Sequence, residues 1–173
     1  MNSQLILHVL LVGVGATLLM DAWALARRRL FGIASLDYAL VGRWLGHMRH
    51  GRFHHSAIGK AQAVRGERLL GWCSHYLIGV VFVGLFVALA GPQWLCQPTL
   101  IPALLLGVVS VAAPLLLMQP AFGMGLAASR MANPWQVRLR ALITHLVFGL
   151  GVYLAAWLGA QLFALPPPLP LSH

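Results

Sequence analysis

Long apolar runs alternate with short basic ones along this chain. Four runs are Leu5–Leu25, Leu69–Ala90, Leu100–Met118 and Ala141–Leu162. A helix needs about 20 apolar residues to cross a hydrocarbon core, so each is expected to span a membrane. The third run is awkward, because apolar sequence continues to Ala128. Pro114 and Pro120 each lack a backbone donor, and Gly123 and Gly125 follow. A kink near Pro114 and a broken or re-entrant end after Gln119 are expected, with a merely tilted helix as the alternative.

The long loop 26–68 carries its own periodicity. Leu36, Leu40, Val41, Trp44, Leu45 and Met48 recur at helical spacing. Ser35 stands ahead of them as a plausible N-cap. The pattern predicts a short amphipathic helix lying on the inner leaflet. Asp37 opens it and Glu67 opens the second span, positions where a helix favours negative charge. The second basic loop is 128–140. At the C-terminus, Pro166–Pro170 cannot continue a helix and is expected to be extended.

Charge orients these elements. All 12 Lys and Arg residues fall within 27–68 and 130–140. Basic loops stay cytoplasmic, so the spans run out-in, in-out, out-in and in-out, with both termini periplasmic. Trp94 suits the outer interface, and Trp23 and Trp72 the inner one. The first span is not expected to be a cleaved signal peptide, because Met1–Gln4 is uncharged and Arg27, Arg28 and Arg29 follow the run.

Composition agrees. The chain is 60% hydrophobic and 9% charged, with mean hydropathy +0.80, whereas a soluble domain carries about 25% charged residues. One transmembrane domain over 1–173 is expected, all-α and polytopic, in a bacterial inner membrane. A net charge of +9 would suit nucleic acid, but here the charges flank the spans. No nucleic-acid partner is expected. Arg27, Arg28, Arg29, Arg43, Arg49 and Arg52 are expected to meet the anionic headgroups of the bilayer. Cys73 and Cys96 lie about 34 Å apart along a helix, too far for a disulfide.

The two halves echo one another. Arg68-Leu69, Ser74-His75 and Gly79 match Arg138-Leu139, Thr144-His145 and Gly149, offset by 70 residues throughout. Leu18–Asp21 similarly echoes Leu116–Gln119. The expected architecture is two parallel hairpin repeats about an axis along the membrane normal.

Ionisable side chains inside a membrane are costly and need partners or water. Asp21 precedes Arg27 by six residues, and His75 and His145 follow Arg68 and Arg138 by seven. All three therefore sit about 9–10 Å inside the basic boundary. Gln119 joins them if the third helix breaks there. Small residues share their faces: Gly13 and Thr17 with Asp21, Gly71 and Gly79 with His75, Ala141 and Gly149 with His145. Two readings stand. The cluster could be a functional site, or glue between closely packed helices. Asp21, His75 and His145 could also ligate a metal, the two histidines a haem, and the His47–His55 loop a metal. Their spacings are unspecific, and neither metal nor cofactor is expected. No phosphate-cradling loop, nucleophile elbow or zinc-protease motif is present.

The chain resembles a family of small bacterial inner-membrane proteins catalogued as a domain of unknown function. The resemblance rests on Gly15-Ala16-Thr17 with Met20-Asp21, on Ser35–Trp44, and on Arg65-Gly66-Glu67, Gly71-Trp72 and His75-Tyr76. It continues through Met118-Gln119-Pro120, Ala127-Ala128-Ser129, Thr144-His145 and Phe148-Gly149. It implies four membrane helices and supplies no activity. Three functions remain open. Permeation or transport, proton-coupled through Asp21 and a histidine, leads. An accessory or scaffold subunit and a membrane enzyme or metal site acting on lipid or quinone follow. Four helices rarely enclose a pathway, so a homodimer or larger membrane complex is expected.

Overall fold

A computed structural model describes residues 3–163. The proline-rich tail lies outside them. The described residues are helices and turns without strands. Four helices are long and apolar enough to cross a membrane: α1 (Ser3–Phe31), α3 (Glu67–Ala90), α4 (Leu100–Ala121) and α5 (Pro134–Phe163). The short α2 (Tyr38–Met48) lies between α1 and α3.

The helices outrun the apolar runs. α1 carries Arg27–Arg29 within its last turns, and α5 begins at Pro134 rather than Ala141. Basic side chains can reach past the hydrocarbon edge on long stems, so a helix need not stop where charge begins. With 30 residues, α5 is about 45 Å long.

α1 packs along both α3 and α5, and α5 also packs on α4. The buried layer comprises Val12, Ala16, Val83, Ala103, Phe148 and Val152, among others. Small residues set the spacing. Gly13 lies against the Val80 backbone, and Gly79 against Thr17. Gly107 lies against the His145 carbonyl and Gly149. Trp94 is buried with Leu95 at the end of this layer opposite the basic loops, its ring edge-on to Phe86. It therefore caps the bundle and is not turned to an outer lipid interface. Its indole N–H donates to Thr99 Oγ1 at 3.2 Å, which satisfies the polar end inside.

The hairpins do not stand as a two-fold pair. α1 runs along α5, yet α3 meets α4 only marginally. Besides α1, the main neighbour of α3 is the short α2. α3 and α5 therefore occupy different environments, although their sequences echo.

α2 also departs from expectation. Its cap is Asp37, whose carboxylate accepts from the Ala39 N–H at 3.0 Å; Ser35 lies two residues too early. Its apolar face packs on protein instead of lying open to a leaflet. Val41 is buried with Ile58, Ala121 and Phe122, beside Trp44 and Met118. Gly42 crosses α3 where a Cβ would strike the Glu67 carbonyl, and Gly71 faces the Tyr38 carbonyl in the same way. Two glycines let the backbones touch.

α4 contains the expected irregularity. Pro114 offers no N–H to Ser110, and Ala113–Met118 forms a π-helical turn that closes with Gln119 N–H donating to the Pro114 carbonyl. Helix resumes only to Ala121, and a turn through Gly123 (φ 89°) and Gly125 (φ 77°) follows. The loop between α2 and α3 crosses this turn. His55 N–H donates to the Ala121 carbonyl at 2.8 Å, and Ile58 N–H to Phe122 at 3.2 Å.

Candidate functional site

Asp21 sits one helical turn beyond Thr17 on the small face of α1, where α3 approaches closely. Its carboxylate meets three donors. His75 Nε2 lies 3.0 Å from Oδ1, and the Tyr76 hydroxyl donates to Oδ2 at 2.9 Å. The Tyr38 hydroxyl reaches Oδ1 at 3.5 Å, a long and weak bond. The Asp21 and His75 side chains are only 18% and 12% exposed, so these donors replace most of the water a carboxylate would otherwise bind.

Aromatic rings fix the imidazole. Tyr38 stacks on His75 at 4.0 Å and 23°, and Trp72 leans on Tyr38 at 4.7 Å. The Gly42–Gly71 crossing makes this stack reachable, because it lays the first turn of α2 over α3. Burial first, and then the Asp21 charge, push the Tyr38 phenol above its ordinary pKa. Tyr38 therefore stays a donor throughout the neutral range. With Asp21 ionised, His75 donates through Nε2–H, and a proton can pass between them across one hydrogen bond.

His145 bonds to a different partner. Its Nδ1 is 2.8 Å from Ser110 Oγ, and that hydroxyl donates to the Gly107 carbonyl at 2.8 Å. A hydroxyl with its one proton so engaged accepts from Nδ1–H, which selects that tautomer. Gln119 is buried, and its Oε1 has no hydrogen-bond partner among the described residues. The structure thus joins Asp21 to His75, gives His145 to Ser110, and shows no bond from Gln119 to either pair. Pro114 and Pro120 flank the π-helical turn.

The arginines divide. Arg28, Arg29, Arg49 and Arg52 are exposed, and Arg27 is half-buried. Arg43 is turned inward, with a bidentate pair to Glu67 at 2.7 and 2.9 Å and further bonds to carbonyls of the 58–61 turn. Its guanidinium fastens α2 to the start of α3 and is not presented to headgroups. Among the described residues, no three His, Cys, Asp or Glu side chains converge as a metal set would. In the histidine-rich loop, His55 Nε2 meets His47 Nδ1 at 3.0 Å, and His47 Nε2 meets the Gln62 carbonyl at 2.9 Å.

A family described as a protein of unknown function, DUF2938, matches residues 10–159. The chain belongs to that family. No curated protein and no solved structure matches it. The DUF2938 match contains every residue of both polar groups.

Sequence reasoning missed three of those residues. Tyr38 and Tyr76 are two of only three tyrosines, and Tyr76 is next in sequence to His75. A phenol near an intramembrane carboxylate was the available signal. Ser110 carried none, since a serine in an apolar helix usually bonds its own backbone.

Proposed function

We propose that this member of the family is a small permeation or transport component of a bacterial inner membrane, with Asp21 and His75 as its proton-binding site. The observation that carries the reading is the 3.0 Å carboxylate–imidazole contact within membrane-crossing helices. Intramembrane ionisable pairs are expensive and recur in proton relays. The Tyr38 contact supplies a route outward. Proton uptake at Asp21 weakens the charge-assisted bonds from Tyr38 and Tyr76, and Tyr38 belongs to α2, which would respond. Basic residues gather at one end of the helices, so that end is assigned to the cytoplasm and the termini to the periplasm. A homodimer completes the pathway, since four helices alone leave little room for one.

A second reading has its own support. Both carboxylate oxygens already hold donors, which is also what structural glue requires, and an accessory subunit needs no more. Asp21→Asn separates the readings. It keeps the shape and loses the charge. Reconstituted in liposomes with an internal pH dye, the natural protein should carry proton flux under an imposed gradient, and a folded Asp21→Asn protein should not. Equal flux in both proteins overturns the transport reading.

A further inference from the structure

A second feature of the basic end is independent of Asp21. The C-terminal end of α2 and the 62–65 segment flank a half-open cleft of about 500 Å³. His47, Arg49, His50, Arg52 and Arg65 line it, and no carboxylate does. Glu67, the nearest acid in sequence, is already held by Arg43 and by the Val64 N–H at 2.8 Å.

The walls are built rather than incidental. Gly46 lets α2 approach the Val64 side chain, where a Cβ would stand only 2.8 Å from it. The bond from His47 to the Gln62 carbonyl ties the two sides at the base. The carbonyls that end α2, which would repel an anion, are engaged. The His47 carbonyl accepts from the His50 N–H at 2.9 Å and from the Arg52 N–H at 3.2 Å. The Met48 carbonyl accepts from the Gly51 N–H at 2.9 Å. What remains is a concave surface on which the guanidinium groups of Arg49, Arg52 and Arg65 face no lining carboxylate; the Arg49 Nε–H donates to His50 Nε2 at 3.2 Å, which leaves its two terminal nitrogens for a ligand.

We propose that this cleft is a saturable site for one phosphate-type anion, held by Arg49, Arg52 and Arg65. Guanidinium forks match phosphate oxygens two at a time. The phosphate could belong to an anionic phospholipid headgroup or to a free phosphate compound, and the two sources share this chemistry.

The test uses the full chain in neutral detergent. Inorganic phosphate is titrated calorimetrically at constant ionic strength, with chloride as the balancing salt. In parallel, retention of phosphatidylglycerol is counted by native mass spectrometry. The variant is Arg49→Gln/Arg52→Gln/Arg65→Gln. The control is Arg28→Gln/Arg29→Gln, which removes positive charge outside the cleft. Saturable phosphate binding, weakened at least about ten-fold in the triple variant only, supports a free-phosphate site. One retained phosphatidylglycerol, lost in the triple variant only, supports a headgroup site. Equal losses in variant and control, or no binding of either probe, overturn the proposal. Should the triple variant fail to fold, the natural protein decides. Phosphate must then raise its melting temperature above that in chloride of equal ionic strength, and an equal melting temperature overturns the proposal.

Discussion

His75 and His145 stand at matching positions in two echoing helices, and only one of them acquired a carboxylate. The local chemistry transferred. Ser74 Oγ donates to the Leu70 carbonyl and Thr144 Oγ1 to the Arg140 carbonyl, both at 2.7 Å. The partner did not transfer, because it belongs to the neighbouring helix. α3 lies against α1, which offers Asp21. α5 lies against both α1 and α4, but its His145 turns to Ser110 of α4, where Pro114 brings a π-helical turn and Gln119 stands where the echo of Asp21 would be. The comparison teaches that a helix can repeat its own face without repeating its site.

The largest effect expected from this difference is on stability. Asp21→Ala leaves His75, Tyr76 and Tyr38 facing one another without an acceptor, and breaking a mostly buried pair in this way costs about 3 kcal/mol. His145→Ala removes one neutral hydrogen bond, and Ser110 keeps its bond to Gly107, so the loss is about 1 kcal/mol for that bond. Thermal melts of the two variants in one detergent check this. Equal losses would mean that the two histidines are energetically alike despite their partners.

Within the Asp21 group the donors should also rank. Tyr76→Phe removes a 2.9 Å bond to a carboxylate, worth about 1.5 kcal/mol or more. Tyr38→Phe removes only a 3.5 Å contact and keeps the stack on His75, so its cost should be smaller, under about 1 kcal/mol. The reverse order would show that α2 is held by the Tyr38 hydroxyl and not by ring packing.

Much of the fold was legible because lipid imposes length and hydropathy on whatever crosses it. The four spans, a helix in the first loop and an irregular third span all follow from counting apolar residues and prolines. The small faces were legible too, since Gly13, Gly79 and Gly149 do sit at close helix crossings. Partner choice was not. Helical spacing places Asp21, His75 and His145 at one depth but leaves open which helices adjoin. That was decided by the crossings of α1 and α3 at Gly13 and Gly79 and of α4 and α5 at Gly107 and Gly149, contacts between residues distant in sequence. Arg43 shows the same limit. A basic side chain beside a span reads as a headgroup contact until the fold brings Glu67 to it.

The two halves are tied at the basic end by His55, and there the expected effect is smallest and depends on pH. His55 joins α2 through His47 and joins the turn after α4 through its own N–H to Ala121. Burial first, then the charges of His47, Arg52 and His54, lower its pKa below the ordinary 6.5, with the Ala121 backbone opposing in part. A lowered folded pKa means that the folded state prefers the neutral ring. The contribution is therefore complete above about pH 6.5, the unfolded value, and is lost as pH falls through the lowered folded value. Geometry gives the same sign, since two protonated rings would turn N–H groups toward each other across the 3.0 Å His47–His55 contact. The natural protein should melt at lower temperature at about pH 5 than at about pH 7.5, and His55→Asn should reduce that difference. An unchanged pH dependence in His55→Asn would place the titration elsewhere and leave the tie between the halves insensitive to protons.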